Sequence, residues 1–184
     1  TPTARSYGHM AIHPYPVEMV ADVALADGRH LRMRPIRPED AEMERAFVNG
    51  LSEESRFFRF FYRLHELTPA MLARFTQIDY DRELALIAVV MQYGKEVQIA
   101  VARYGVNPDG DSCEFAIVVD DEWQTKGVGA RLLTLLMEAA KARGFKVVKG
   151  YEIFPPNFNK DNMRDKGVAL KAIRDRGCDV ILSV

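Results

Sequence analysis

Residues 113–133 read CEFAIVVDDEWQTKGVGARLL, and this stretch decides the fold. Its first seven residues are almost entirely apolar, which is typical of a buried β-strand over Cys113–Val119. Apolar side chains then recur at helical spacing, at Leu132, Leu133, Leu136, Met137 and Ala140, before Gly144 marks the end of a helix. The stretch therefore predicts a strand, a glycine-containing loop and an amphipathic helix, in that order.

The loop between this strand and this helix, residues 124–129, has features of an anion-binding site. The first amides of a helix have no partner within it and carry a partial positive charge. Glycine at positions 127 and 129 would let the backbone approach a phosphate closely, and Lys126 adds a cation. The alternative is a tight connection whose glycines only fit the turn, and a single Gly-x-Gly does not decide between the two. The loop matches neither the Walker sequence nor the Gly-x-Gly-x-x-Gly dinucleotide pattern.

Further strands and helices are predicted on both sides. Upstream, the pattern predicts a strand over Leu31–Ile36, a helix beginning at Pro38, helices over about Glu53–Arg63 and Ala70–Thr76, and strands over Leu84–Met91 and Val97–Val106. Downstream it predicts a strand over Val147–Phe154, a helix over about Asp161–Arg176 and a last strand over Cys178–Leu182. An antiparallel meander followed by β-α-β-α-β indicates an α/β fold with a mixed, α+β-like sheet rather than a doubly wound one.

The composition excludes several classes of protein. The 184 residues fit one domain, with residues 1–14 as a disordered or tag-like arm and residues 15–184 as the folded unit. A net charge of −1 gives no electrostatic footprint for nucleic acid or a membrane surface, and no apolar run is long enough to span a bilayer. Cys113 and Cys178 lie in apolar runs without metal-ligand spacing, so we expect reduced thiols, no metal and a cytoplasmic location.

Glu114 is the candidate general base. Strand alternation places it on one face with Ala116 and Val118. A carboxylate buried at the start of an apolar strand would have a raised pKa, as functional bases often have. An exposed strand end just after a polar turn explains the pattern equally well, so the residues alone leave both readings open.

The segment Gln124-Thr125-Lys126-Gly127-Val128-Gly129, after a strand and before a helix, resembles the acetyl-CoA loop of the GNAT superfamily. Further segments, in the same order, are similar to the acetyltransferase domain of bacterial protein lysine acetyltransferases: Tyr15–Val17, Leu31–Asp40, Leu51–Ser55, Arg59–Phe61 and Ile78–Glu83. The resemblance covers residues 15–146. In that family the domain is often fused to an acyl-CoA-synthetase-like or a cyclic-nucleotide-binding domain.

The resemblance implies a single GNAT-type domain that works as an acetyl-CoA-dependent N-acetyltransferase on a protein lysine, with acetyl-CoA as co-substrate and no metal. It implies coenzyme binding by Ile117, Val118, Val119, Gln124, Lys126, Gly127, Val128, Gly129 and Ala130, and a thioester carbonyl polarised by the amides near Val118 and Val119. A lysine amine is almost entirely protonated at neutral pH, so the reaction needs a base. The family has a glutamate base at the position of Glu114.

Several assignments stay open. A GNAT enzyme acting on a small amine and a non-catalytic acyl-CoA sensor are the alternatives. The C-terminal part departs from the family pattern: Asn157, Asn159 and Asn162 compete for one coenzyme contact, and Tyr151 is only a weak candidate for the general acid. Asp79, Asp81 and Glu83 are either a solvated strand start or a site that recruits the amine. Arg56 and Arg59 fit the polar side of an amphipathic helix.

Overall fold

The computed structural model describes residues 13–60, 65–145, 147–151 and 179–183, with the backbone alone at 57–60, 151 and 179–183. The strands are β1 Ala21–Ala24, β2 His30–Pro35, β3 Glu83–Gln92, β4 Lys95–Val106, β5 Ser112–Val119, β6 Val147–Tyr151 and β7 Asp179–Ser183. The helices are α1 Ala41–Gly50, α2 Glu53–Phe60, α3 Pro69–Thr76 and α4 Val128–Ala142, with short 3₁₀ turns at Val17–Met19, Pro38–Asp40 and Asp121–Trp123.

The seven strands form one mixed sheet in the order β1-β2-β3-β4-β5-β6-β7. Neighbours from β1 to β5 are antiparallel, whereas β5, β6 and β7 run parallel. This arrangement confirms the predicted mixed α/β fold and the antiparallel meander. Strand β1 was not predicted from the sequence. The predicted helix over 161–176 and the end of the predicted strand over 147–154 lie outside the described residues.

The sheet is covered on both faces, each by a separate apolar cluster. On one face α4 buries Val128, Leu132 and Leu136 against alternate residues of β3, β4 and β5. On the other face Phe47, Val48 and Leu72, from α1 and α3, pack against Ile87, Val101 and Val118. Because successive strand residues point to opposite faces, each long strand serves both clusters, and this explains why β3 reads as a continuous apolar run.

A buried ion-pair network fixes the start of α1. The guanidinium of Arg34 on β2 donates to both carboxylate oxygens of Asp40, at 2.7 and 2.9 Å, and to Glu96 on β4 at 2.8 Å. Asp40 also accepts the backbone N–H of Arg37 at 2.8 Å. The segment Leu31–Asp40, one of those that carry the family resemblance, therefore has a structural role: it joins the sheet to the first helix.

Candidate active site

Strands β5 and β6 separate part-way along their length. Their parallel pairing runs from Ser112↔Val147 to Phe115↔Gly150 and stops there within the described residues. On its other side β5 stays paired with β4 up to Ala100↔Val119. The last four residues of β5 therefore have a hydrogen-bonding edge that β6 does not occupy. Such an edge can form backbone hydrogen bonds with an extended, amide-containing ligand, in the way that it would pair with another strand.

The register decides which amides face this open edge. The N–H of Asp120 donates to the carbonyl of Ile99 on β4, at 2.8 Å. Backbone groups alternate in direction along a strand, so the N–H of Val118 also faces β4. The N–H groups of Ile117 and Val119 face the open edge. Of the two amides that the sequence analysis expects to polarise a thioester carbonyl, the N–H of Val119 faces the open edge and the N–H of Val118 faces β4. The side chain of Val118 is buried in the apolar cluster on the sheet face covered by α1 and α3.

The loop that follows β5 has the backbone shape of an anion-binding nest. Thr125 has φ of 61° and Gly127 has φ of 81°, with a residue of negative φ between them. Such alternation turns successive N–H groups toward one point. The N–H of Arg131 bonds the carbonyl of Gly127 at 3.2 Å, so the amides of Val128, Gly129 and Ala130 have no partner within α4. Val128 offers only this amide, because its side chain is fully buried.

Gly129 brings the helix up against the open edge of β5. A Cβ built on Gly129 would lie 3.2 Å from Cγ2 of Val119 and 3.7 Å from Cδ1 of Ile117. This close packing places the free amides of the first turn of α4 near the edge of β5 at Ile117 and Val119. The missing side chain of Gly129 thus allows both the packing of α4 on β5 and access to these amides.

The polar side chains of the loop hold its own backbone. Gln124 donates through Nε2 to the carbonyl of Val119 at 3.2 Å, which anchors the loop to the open edge of β5. The ammonium of Lys126 donates to the carbonyl of Glu122. Both side chains are exposed, so a ligand at the loop can reach them.

Asp121, which the sequence analysis did not single out, ties this region to α2. Its carboxylate accepts hydrogen bonds from the backbone N–H of Ser52 at 3.0 Å, the Ser52 hydroxyl at 2.9 Å and the Ser55 hydroxyl at 2.8 Å. Burial raises the pKa of Asp121, but the hydrogen bonds lower it by a larger amount. The net pKa therefore lies below the usual value of 3.8. The start of α2 is therefore held by an ionised carboxylate two residues after the end of β5.

We expect Asp121→Asn to lower Tm by about 2–4 °C at pH 7, corresponding to about 1 kcal/mol for a solvent-screened charged cap. The folded-state pKa is depressed, so the carboxylate stabilises the fold above its unfolded pKa, and this stabilisation is lost as the pH falls through the folded pKa. Thermal melts of the two proteins at pH 7 and at progressively lower pH measure the difference. Its persistence well below pH 3.8 would contradict the proposed hydrogen bonding to an ionised Asp121.

Glu114 lies on the face of β5 that points away from α4. Its side chain is exposed, so the burial that the sequence analysis considered for its carboxylate is not observed. Register pairs it with Gly105 on β4 and with Lys149 on β6, and pairs Gly105 in turn with Glu83 on β3. These four residues form one row across the sheet, and residues directly opposite each other share a face.

Gly105 leaves a gap in the middle of this row. A Cβ built on Gly105 meets no atom within 4 Å. The two carboxylates of Glu83 and Glu114 flank the gap, and neither forms a salt bridge within the described residues. Arg103, two residues before Gly105 on β4, donates to the carbonyl of Phe75 on α3 at 3.1 Å, lies 4.0 Å from Glu44 and also interacts electrostatically with Glu83. The gap is thus bordered by Glu83 and Glu114, with Lys149 beside Glu114, and we call it the Gly105 groove.

Asp79 and Asp81, which the sequence analysis grouped with Glu83, have structural roles. Asp79 accepts the N–H groups of Asp81, Arg82 and Glu83 at 2.8–3.1 Å, and its pKa is lowered by these bonds against the opposing effect of burial. Asp81 pairs with Arg143 at the end of α4. Glu83 is thus the member of the cluster that remains for an amine. Within the described residues no group of three potential ligands could hold a metal ion, and no helix could cross a membrane.

The sequence profile of the Acetyltransferase (GNAT) family matches residues 49–163, which include the open edge, the loop and Glu114. The chain belongs to the GNAT family. This confirms the fold and the acetyltransferase assignment predicted from the sequence. The outward amides of Ile117 and Val119 and the nest at residues 125–127 fit the amide-rich arm and the diphosphate of an acyl-CoA, respectively.

Similar GNAT proteins come from several bacteria. Acetyltransferase PA5475 of Pseudomonas aeruginosa is 37% identical over 123 residues, which span 67% of this chain and 66% of the relative. The GNAT domain of S. lividans PAT is 31% identical, with a TM-score of 0.73 over 85% of this chain and 89% of that one. The cAMP-binding acyltransferase from Mycobacterium smegmatis shares the fold at 23% identity, with a TM-score of 0.50 over 86% of this chain and 43% of that one.

Some residues considered for this GNAT site cannot be located. Asn157, Asn159, Asn162 and Cys178 lie outside the described residues, and only the backbone of Tyr151 is described. Sequence analysis missed the link from Asp121 to Ser52 and Ser55. Its only signal was local: Ser52 precedes Glu53-Glu54 and so marks a helix N-terminus, but nothing in the sequence indicates that its partner lies 69 residues away.

Proposed function

We propose that this chain transfers the acetyl group of acetyl-CoA to the side-chain amine of a protein lysine, with Glu114 as general base. The observation that carries the proposal is the open edge of β5 lying between an anion-binding loop and the Gly105 groove. The pantetheine arm would lie along the edge and bond the backbone of Ile117 and Val119. The diphosphate would bind the amides of Gly127, Val128, Gly129 and Ala130, with Gln124 and Lys126 beside it.

The chemical step needs a neutral amine. A lysine ammonium attracted to the groove loses one proton to Glu114, directly or through a water. The amine nitrogen then attacks the thioester carbonyl and a C–N bond forms. The C–S bond breaks, coenzyme A leaves as the thiolate, and the nitrogen passes its second proton through water to that thiolate. Glu114 then returns the first proton to solvent. The N–H of Val119 is the outward amide that would polarise the carbonyl oxygen. Transfer is direct: Cys113 is fully buried in the core and is therefore not suited to carry the acyl group.

The Gly105 groove supports an amine acceptor on a long, flexible side chain. Its two carboxylates attract a cation, and its floor at Gly105 has no side chain. Glu114 is exposed, and Glu83 and Gly105 are half-buried. A lysine side chain can enter such a groove while the rest of the protein substrate stays outside. Glu83 then contributes to binding the ammonium, and Glu114 contributes to the reaction.

Filling the groove should affect the acceptor alone. Gly105→Val places a branched side chain where the structure has open space, in a strand that favours such residues. We expect the KM for the acceptor to rise by about tenfold or more, since even one misplaced contact at a substrate site has such effects. The Kd for acetyl-CoA, measured by calorimetry, should be unchanged. An unaltered acceptor KM in a folded variant would place the acceptor elsewhere.

A labelling experiment tests the function itself. The protein is incubated with radiolabelled acetyl-CoA and a bacterial protein extract, and protein-bound and small-molecule label are measured separately. Label on protein, located at lysine by hydrolysis, is the expected result. Label only in a small product would favour a small amine as acceptor, and no transfer despite coenzyme binding would favour a non-catalytic acyl-CoA sensor.

The chemistry needs neither a metal nor a disulfide. Cys113 is buried and is not part of a disulfide. We expect thiol titration of denatured, unreduced protein to count two free cysteines, and EDTA to leave activity unchanged. A disulfide would argue against the cytoplasmic location that belongs to this proposal, and loss of activity on chelation would argue against metal-free transfer.

A further inference from the structure

Arg56 lies on α2, and no partner of its side chain is found among the residues that the structure describes. The residue is half-buried. Its Nε atom is inaccessible to solvent and has no hydrogen-bond acceptor. No salt bridge of Arg56 is found within the described part of the chain. A buried polar group without a partner costs free energy, and so requires an explanation. The Nε atoms of Arg34, Arg45 and Arg103 are in the same state, but the guanidinium of each of those arginines pairs with a carboxylate, whereas none is found for Arg56 within the described residues.

The position of Arg56 directs it to the end of β5. Ser52, Ser55 and Arg56 are spaced so that they share one face of α2. The two serines on that face bond Asp121, two residues after the end of β5. Helix α2 also packs against β5 itself. Arg56 therefore lies on a helix that is tied to the segment after β5, on the sheet face opposite to α4.

The segment before α4, residues 120–126, carries an excess of negative charge. Residues 120–126 contain three carboxylates and one lysine, and the ammonium of Lys126 is engaged by the carbonyl of Glu122. Asp121 is ionised at neutral pH, as its depressed pKa requires. A diphosphate that binds beside this acidic segment meets repulsion that helix amides alone offset only in part. An arginine with a free donor fork would supply the missing charge and bidentate hydrogen bonds.

We propose that Arg56 binds the coenzyme diphosphate, so that the coenzyme is held between the N-terminus of α4 on one side and α2 on the other. This inference rests on the proposed binding of acetyl-CoA at the open edge and the loop. It also gives the link from Asp121 to α2 a purpose, because that link fixes the distance between Arg56 and the loop.

Calorimetry with acetyl-CoA tests the assignment. Arg56→Ala should raise the Kd by about tenfold to a hundredfold, the usual value of a hydrogen bond to a charged group, and the loss should shrink as salt is added. Arg56→Lys, which keeps the charge but loses the fork, should fall in between. The matched control is Arg32→Ala, which removes an exposed arginine paired with Asp22 at the β1–β2 edge. It should leave the Kd unchanged.

Truncated coenzymes identify the group that Arg56 binds. With 3′-dephospho-acetyl-CoA the defect of Arg56→Ala should persist, and with S-acetylpantetheine, which has no phosphate, the variant and the wild type should give equal kcat/KM. A defect confined to the 3′-phosphate, or an unchanged Kd with a raised acceptor KM, would overturn the diphosphate assignment. Should Arg56→Ala fail to fold, wild-type affinity in Arg56→Lys and Arg56→Met would overturn it. Absence of acetyl-CoA binding in the wild type would instead refute the proposed function.

Discussion

Glu114→Gln is expected to lower turnover by about 10²–10⁴-fold, the usual contribution of a positioned general base. Glutamine keeps the size of the side chain and its ability to form hydrogen bonds, but it cannot accept the proton of the amine at neutral pH. The Kd for acetyl-CoA should stay nearly unchanged, because the coenzyme contacts proposed here come from the loop and the β5 backbone. Steady-state kinetics and calorimetry on the same preparation separate the two effects.

The pH dependence distinguishes a base from a surface charge. Raising the pH toward the pKa of the acceptor lysine, about 10.4, increases the neutral fraction of the amine without help from the enzyme, so part of the lost rate should return. Glu42→Gln is a suitable control, since Glu42 is an exposed glutamate on α1 that pairs with Arg45. Wild-type turnover in Glu114→Gln at every pH would remove Glu114 from the mechanism, and Glu83 would be the next residue to test.

Gly129→Asp is expected to weaken acetyl-CoA binding by about 2–4 kcal/mol, roughly 30- to 700-fold in Kd. The new carboxylate would stand at the N-terminus of α4, beside the diphosphate, where like charges repel. It would also press on Val119, since a Cβ at this position lies only 3.2 Å from that side chain. Calorimetry on the folded protein, with Tm measured in parallel, gives the size of the effect.

Gly129→Ala is the matched control for this experiment. It introduces the same Cβ contact with Val119 but no charge, so its effect on Kd measures the cost of displacing α4 from β5. The defect of Gly129→Asp should exceed that of Gly129→Ala and should diminish at high salt. Equal defects would mean that packing alone accounts for the effect, and unchanged affinity in both would remove the loop from the site.

The register of the strands determines which backbone N–H groups of β5 face the open edge. Alternation along β5 correctly placed Glu114 and Val118 on one face, but sequence alone gave no direction for the backbone N–H groups. That direction depends on the partner strand: the bond from Asp120 to Ile99 fixes it and selects Ile117 and Val119. Strand β1 was missed for a similar reason. Its four residues are at most half-buried, and their pairing with β2 rather than their apolar pattern makes them a strand.

Local sequence was sufficient wherever a structure depends on neighbours along the chain. The apolar run of β5, the helical spacing of α4 and the glycines between them determined the central strand–loop–helix unit, since hydrophobic periodicity and the backbone freedom of glycine act over a few residues. Tertiary structure decided everything that depends on distant residues meeting. Strand register and packing produce three features of the site. They are the gap over Gly105 between Glu83 and Glu114, the hydrogen bonds of Asp121 with Ser52 and Ser55, and the open edge of β5. Those are set by the burial of two whole apolar clusters, and no short stretch of sequence records them.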